Sequence, residues 1–98
     1  MNIEFGADDL DKMFYDAHFT GGFSREIVKA YRKRVQYIIA AYDERDFYAM
    51  KSLHYEKLKG KRRREYSMRL NQQYRLIIRT KVEQGRRTIV VLSIEDYH

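Results

Sequence analysis

The chain has 98 residues, a formal net charge of +6, and neither cysteine nor proline. That length supports one domain, 1–98, with one modest core, and the lack of cysteine excludes disulfides, thiolate metal sites and thiol nucleophiles. Glu4, Asp8, Asp9, Asp11 and Asp16 are incompatible with a signal peptide and no apolar run reaches membrane-spanning length, so a soluble cytoplasmic protein without a membrane partner is expected.

Asn2–Phe5, NIEF, alternates as a short strand does, and ADDLDKMFYDA follows as a helix with acids in its first turn, where the helix dipole favours them. Thr20–Gly22 breaks it. From Ser24, an N-cap residue, Ile27, Tyr31, Val35, Ile38 and Tyr42 recur at spacings of four and three, the mark of an amphipathic helix. Its other face carries Lys29, Arg32, Lys33 and Gln36. Tyr15, Tyr31, Tyr37 and Tyr42 are assigned to core packing, and DERDFYAMKSL to a shorter helix.

After Gly60 the period changes to alternation. EYSMRL places Tyr66, Met68 and Leu70 on one face and Ser67 and Arg69 on the other. A turn is predicted through Asn71–Gln73. YRLIIRT then sets Tyr74, Leu76 and Ile78 against Arg75, Ile77 and Arg79, Gln84–Gly85 makes a hairpin turn, and TIVVLSI is apolar enough for a central strand. Helices first and an antiparallel meander second predict an α+β fold with the helices packed on one sheet face. Asp96, Tyr97 and His98 continue the central strand, with Arg75 and Arg79 expected as neighbours across the sheet.

The charge is local. Residues 51–87 hold 13 basic and 3 acidic side chains, a net of +10, whereas residues 1–50 hold 7 and 9, a net of −2. Concentrated basic charge suits a phosphate backbone, because each neutralised phosphate releases counterions; a solvated basic face or an acidic protein partner is the other reading. Lys57, Lys61, Arg62, Arg63, Arg64, Arg69 and Arg79 are the RNA-binding candidates.

RNA cleavage needs no metal when a base deprotonates the 2′-hydroxyl, an acid protonates the leaving 5′-oxygen, and cations hold the phosphoryl charge. His98 and Asp96 are candidates for proton transfer, Tyr97 for hydrogen bonding or stacking, and Lys57, Lys59, Arg75 and Arg79 for phosphate charge. No Gly-rich phosphate loop is present, and His18, His54 and His98 are too far apart for metal-ligand spacing, so neither cofactor nor metal is expected.

LHYEKLKGKRRREYSMRLNQQYRLIIR, followed by a hairpin and SIEDYH, resembles the HigB toxins of the RelE superfamily. The resemblance covers about the last forty-five residues well. It implies a small microbial-RNase fold, with N-terminal helices packed on a curved antiparallel sheet whose basic face accepts mRNA in the A site of the 70S ribosome. It also implies a HigA-type helix-turn-helix antitoxin, with operator DNA contacted only through that antitoxin. By position, Lys59 and Arg75 match the family's phosphate-contacting residues, and Asp96, Tyr97 and His98 its terminal active-site trio, so the chain is expected to end where its active site ends.

One position departs from the family pattern. Well-described members carry a histidine three residues before the L-K-G lysine, where this chain has Glu56. Two substitutes stay open: His54, which an extended segment would point to the same side, and Glu56 acting as the base itself beside cationic neighbours. The rival readings are a toxin on the same scaffold with a non-nuclease target such as DNA gyrase, and an inert RNA-binding regulatory module.

Overall fold

A computed structural model describes residues 1–97 of the chain; His98 lies outside the described residues. In chain order the elements are β1 (Asn2–Phe5), α1 (Asp8–Tyr15), α2 (Arg25–Ala40), α3 (Glu44–Ala49), β2 (Glu56–Lys57), β3 (Glu65–Arg69), β4 (Tyr74–Glu83) and β5 (Arg86–Asp96). Single 3₁₀ turns at Lys51–Leu53 and Gly60–Arg62 flank β2. The strands form one sheet in the order β1-β5-β4-β3-β2. The architecture is α+β, as expected. Strands β2 to β5 make the antiparallel meander, whereas β1 joins β5 in parallel, so the sheet is mixed and not wholly antiparallel.

Local chemistry accounts for the helices. Ser24 Oγ accepts from the Ile27 amide at 3.3 Å and caps α2. Arg32, on the polar face, caps the end of α1 from outside: Nε donates to the Met13 carbonyl at 2.8 Å and Nη2 to that of Asp16 at 2.9 Å. The turn between the helices needs glycine at Gly21, where φ is +60° and a Cβ would stand 2.9 Å from the Met13 side chain. The Met1 ammonium donates to the carbonyls of Ile39 and Ala41 near the end of α2, at 2.7 and 2.8 Å.

The core lies between the helices and one sheet face. Met13, Val28, Tyr31, Val35, Ile38 and Phe47 from the helices meet Met68, Leu76, Ile78, Ile89 and Val91 from the strands, all buried. Strand alternation therefore sends Ser67, Arg69, Arg75, Ile77 and Arg79 to the opposite face, the one open to solvent at Arg79 and in part at Arg69, with Ser67, Arg75 and Ile77 buried at its centre. Two core assignments do not hold. Tyr42 is 87% exposed because α2 ends at Ala40 and the helical period stops there, and Tyr15, the last residue of α1, is 69% exposed. Among the described residues, no helix is long and apolar enough to cross a membrane.

Tyr31 is fully buried, and its hydroxyl donates to the Leu10 carbonyl at 2.8 Å, joining α2 to α1. Burial raises its pKa, so the phenol stays protonated and able to donate. Tyr31→Phe removes this interhelical bond while the carbonyl keeps its place in the helix, and should cost about 0.5–1.5 kcal/mol, read as a lower urea midpoint with an unchanged m-value.

Candidate active site

A charged residue in the middle of a sheet must be compensated, and Arg75 is only 7% exposed. Its Nη2 donates to the His54 carbonyl and, at 3.4 Å, to that of Ser67. The Glu56 carboxylate stands 3.8 Å from the same nitrogen, and the guanidinium carbon lies 4.9 Å from the centre of the Tyr97 ring, a cation–π distance. The Tyr97 hydroxyl in turn donates to Glu56 Oε1 at 3.2 Å. Arg75, Glu56 and Tyr97 thus come from three different strands or strand ends and converge on the open face. Two atoms beneath them, Arg75 Nε and Ser67 Oγ, are buried and have no hydrogen-bond partner among the described residues.

The backbone at His54 makes this possible. His54 adopts a left-handed conformation, φ 47° and ψ 47°, at the end of the Lys51–Leu53 turn, which directs its carbonyl toward Arg75. The segment is therefore not extended, and the simple alternation expected for positions 54 and 56 does not apply. The imidazole lies instead against Arg69, whose Nη1 is 3.1 Å from His54 Nε2. Because a guanidinium only donates, Nε2 is the acceptor and the proton of a neutral ring sits on Nδ1. Arg69 also donates to the Asn71 carbonyl at 3.2 Å and pairs in register with Arg75.

The end of β5 is fastened by the turn before β4. Asn71 Oδ1 accepts from the amides of Gln73 and Tyr74, at 2.8 and 2.7 Å, a closed Asx turn. The Gln73 carbonyl then receives the Tyr97 amide at 2.7 Å, while its side chain donates to Asp96 Oδ2 at 3.1 Å. Asp96 pairs with Tyr74 in register and Glu95 with Arg75, so alternation sends Asp96 and Arg75 to opposite sides. His98 lies outside the described residues.

The basic candidates divide. Lys59 is exposed just before Gly60, whose φ of +68° favours glycine. Lys57, exposed and paired with Tyr66, alternates away from Glu56 to the other sheet face. Lys61, Arg63 and Arg64 are exposed around the loop with Arg79, in a surface pocket of about 480 Å³. Arg79 was expected beside the chain's last residues, but the antiparallel pairing carries it away from them: four residues beyond Arg75, it stands opposite Val90.

Arg62 is engaged within the fold. Its guanidinium grips Glu95 with two hydrogen bonds of 2.8 and 2.6 Å and Glu65 with a third of 2.9 Å; the Ser93 hydroxyl adds 2.8 Å to Glu95. These contacts raise the Arg62 pKa, through Glu95 first and then Glu65, and lower that of Glu95, through Arg62 first. Sequence reading missed Gln73, Ser93 and Glu95. The NQQ turn signalled a bend but not its bond to β5, and nothing local marks Glu95 as the partner of a residue 33 positions away. The grooves beside α2 bring none of the candidate residues together.

A family model described as the RelE-like toxin of the type II toxin–antitoxin system HigB matches residues 3–98. In structure, the chain is similar to a YoeB/ParE toxin from Agrobacterium tumefaciens, with a TM-score of 0.60 and 13% identity over the whole of both chains. It is also similar to a chain of the YoeB–YefM complex from Staphylococcus aureus, TM-score 0.58 and 22% identity over all of this chain and 97% of that one. These structural likenesses are likenesses of fold. Comparison with curated proteins finds no significant sequence match.

The Arg62–Glu95 contact gives a signed pH dependence. A carboxylate whose folded pKa is lowered contributes stability above its unfolded value, about 4.3, and loses it as the pH falls through the folded one. The wild-type melting temperature should therefore drop more steeply below about pH 4 than that of Glu95→Gln, as followed by circular dichroism.

Proposed function

The chain belongs to the RelE-like HigB toxins of type II toxin–antitoxin systems, and we propose that it is a ribosome-dependent endoribonuclease that cleaves mRNA in the A site of the 70S ribosome and so halts translation. The observation that carries this reading is the convergence of a guanidinium, a carboxylate and a phenol, Arg75, Glu56 and Tyr97, on the open face beside a loop of net positive charge.

The chemistry is metal-independent transesterification. Glu56 takes the proton of the 2′-hydroxyl; the 2′-oxygen bonds to the adjacent phosphorus and the bond to the 5′-oxygen breaks, leaving a 2′,3′-cyclic phosphate and a 5′-hydroxyl. Arg75, already aimed by two carbonyls, stabilises the charge that develops on the phosphoryl oxygens, with Lys59 as a second cation. His98 supplies the proton to the leaving oxygen, and Tyr97 orients Glu56 and stacks on the nucleotide; Asp96, which alternation sends to the other side of the sheet, instead helps fasten the end of β5 through Gln73. Glu56 takes the base role in preference to His54, whose Nε2 already accepts from Arg69. Lys57, Lys61, Arg63, Arg64, Arg69 and Arg79 supply longer-range attraction for RNA backbone.

A HigA-type helix-turn-helix antitoxin is the partner that would silence this activity and reach operator DNA on the toxin's behalf. Support in kind comes from the family and from the S. aureus YoeB neighbour, which was solved with YefM.

Primer extension on mRNA from programmed ribosomes tests the assignment, with thermal unfolding run in parallel. Glu56→Gln, Arg75→Gln and removal of His98 should each lower cleavage on the order of a hundredfold or more, which is the scale of acid–base and electrostatic catalysis. Removal of the exposed Glu56 carboxylate should leave folding intact. Undiminished cleavage by Glu56→Gln refutes it as base. Growth arrest with intact mRNA refutes the nuclease reading in favour of a toxin with another target.

A further inference from the structure

Arg34, on α2, is partly buried and stands without compensation. Arg32, two positions earlier, donates to the carbonyls at the end of α1, and Arg45, Arg62, Arg75 and Arg87 each reach a carboxylate. The Arg34 side chain makes neither hydrogen bond nor ion pair among the described residues, and its Nε is buried without a partner. Burial lowers its pKa, opposed by the Tyr37 phenol, whereas carboxylates raise those of Arg45 and Arg62. A guanidinium stays charged in neutral solution even so, and an apolar side chain of similar length would fill the position at lower cost.

The group lies in a groove of about 640 Å³ on the helix side of the sheet, between Ala30, Lys33 and Tyr37 of α2, Met50 and Ser52 after α3, and Leu70 just past β3. Two cations and no carboxylate line it. The Tyr37 hydroxyl donates to the Asp46 carbonyl at 2.8 Å and so fixes one wall, while Met50 is exposed. From this arrangement we infer that the groove docks a segment of a protein partner that presents one carboxylate between apolar side chains. The carboxylate pairs with Arg34, and its apolar neighbours cover Ala30 and Met50. A phosphate backbone fits less well, because it needs a track of exposed cations and gains nothing from apolar walls. From Ala30 to Tyr37 the groove follows seven residues of helix, about 10 Å, room for about two turns of a partner helix or about three residues of extended chain. The groove is separate from the convergence of Arg75, Glu56 and Tyr97, and its role is independent of RNA cleavage.

The test follows the Arg34 Nε–H resonance and the Met50 methyl in isotope-labelled full-length protein as blocked peptides are added. Acetyl-Leu-Glu-Ala-Leu-amide should shift both signals saturably. The same peptide with Gln in place of Glu should bind about tenfold more weakly, the scale of one charge-assisted hydrogen-bonded pair. Arg34→Met, followed at the Met50 methyl, should bind both peptides alike at the weaker level. It should also melt at a higher temperature than the wild type, because it removes an uncompensated charge and keeps an apolar stem. Hexanoate, a free carboxylate with an apolar tail, should bind more weakly than the Glu peptide. Equal affinity of the wild type for the two peptides, or no saturable shift at millimolar concentration, overturns the carboxylate assignment. Hexanoate that binds as tightly as the Glu peptide overturns the peptide occupant in favour of a small acid. A lower melting temperature or loss of folding in Arg34→Met makes the guanidinium a structural part of the fold and overturns the inference.

Discussion

The site depends on how a buried guanidinium is satisfied. Arg75 lies on the strand at the centre of the five-strand order, where an uncompensated charge would cost several kcal/mol. Its compensation comes from the surrounding backbone: the His54 carbonyl, turned toward it by a left-handed residue, and the Ser67 carbonyl from the neighbouring strand. These acceptors aim the side chain before any ligand arrives. Such aiming is what electrostatic catalysis requires, because donors that are already oriented need no reorganisation as charge develops. The position of Tyr97 follows from the same region, since Gln73 secures its amide and Arg75 stands over its ring.

Charge on the open face is arranged as an alternation. Cations and carboxylates follow one another from Arg79 through Glu65, Arg62 and Glu95 to Arg75 and Glu56, with Arg62 at the centre holding two acids. The net charge of the basic segment therefore overstates the number of cations available to a polyanion. Charge counting treats every arginine as equal, whereas the Arg62 hydrogen bonds distinguish it from Arg63 and Arg64 beside it.

Local patterns made much of this legible. The period of α2, its Ser24 cap, the alternation of β3 and β4 and the Gln84–Gly85 turn are all properties of neighbouring residues, and the structure has them where the sequence placed them. The features that escaped reading depend on distant partners. The parallel pairing of β1 with β5 joins residues more than eighty positions apart, the bulge between Ile77 and Ile78 arises from the register of two strands, and the left-handed His54 answers to Arg75. Tyr42 shows the converse: its spacing continues the apolar stripe of α2, but a period has meaning only while the helix lasts. The resemblance to HigB toxins drew Glu56, Arg75 and Tyr97 into one hypothesis, and the contacts among them are what proximity in space adds to it.

Chemical identification of the RNA ends produced on programmed ribosomes tests the central claim most directly. Attack by the 2′-oxygen under control of Arg75 and Glu56 predicts fragments ending in a 2′,3′-cyclic phosphate, or the 3′-phosphate formed from it, paired with fragments beginning in a 5′-hydroxyl. Fragments with 3′-hydroxyl and 5′-phosphate ends would contradict it, because they require water and not the adjacent hydroxyl as the nucleophile.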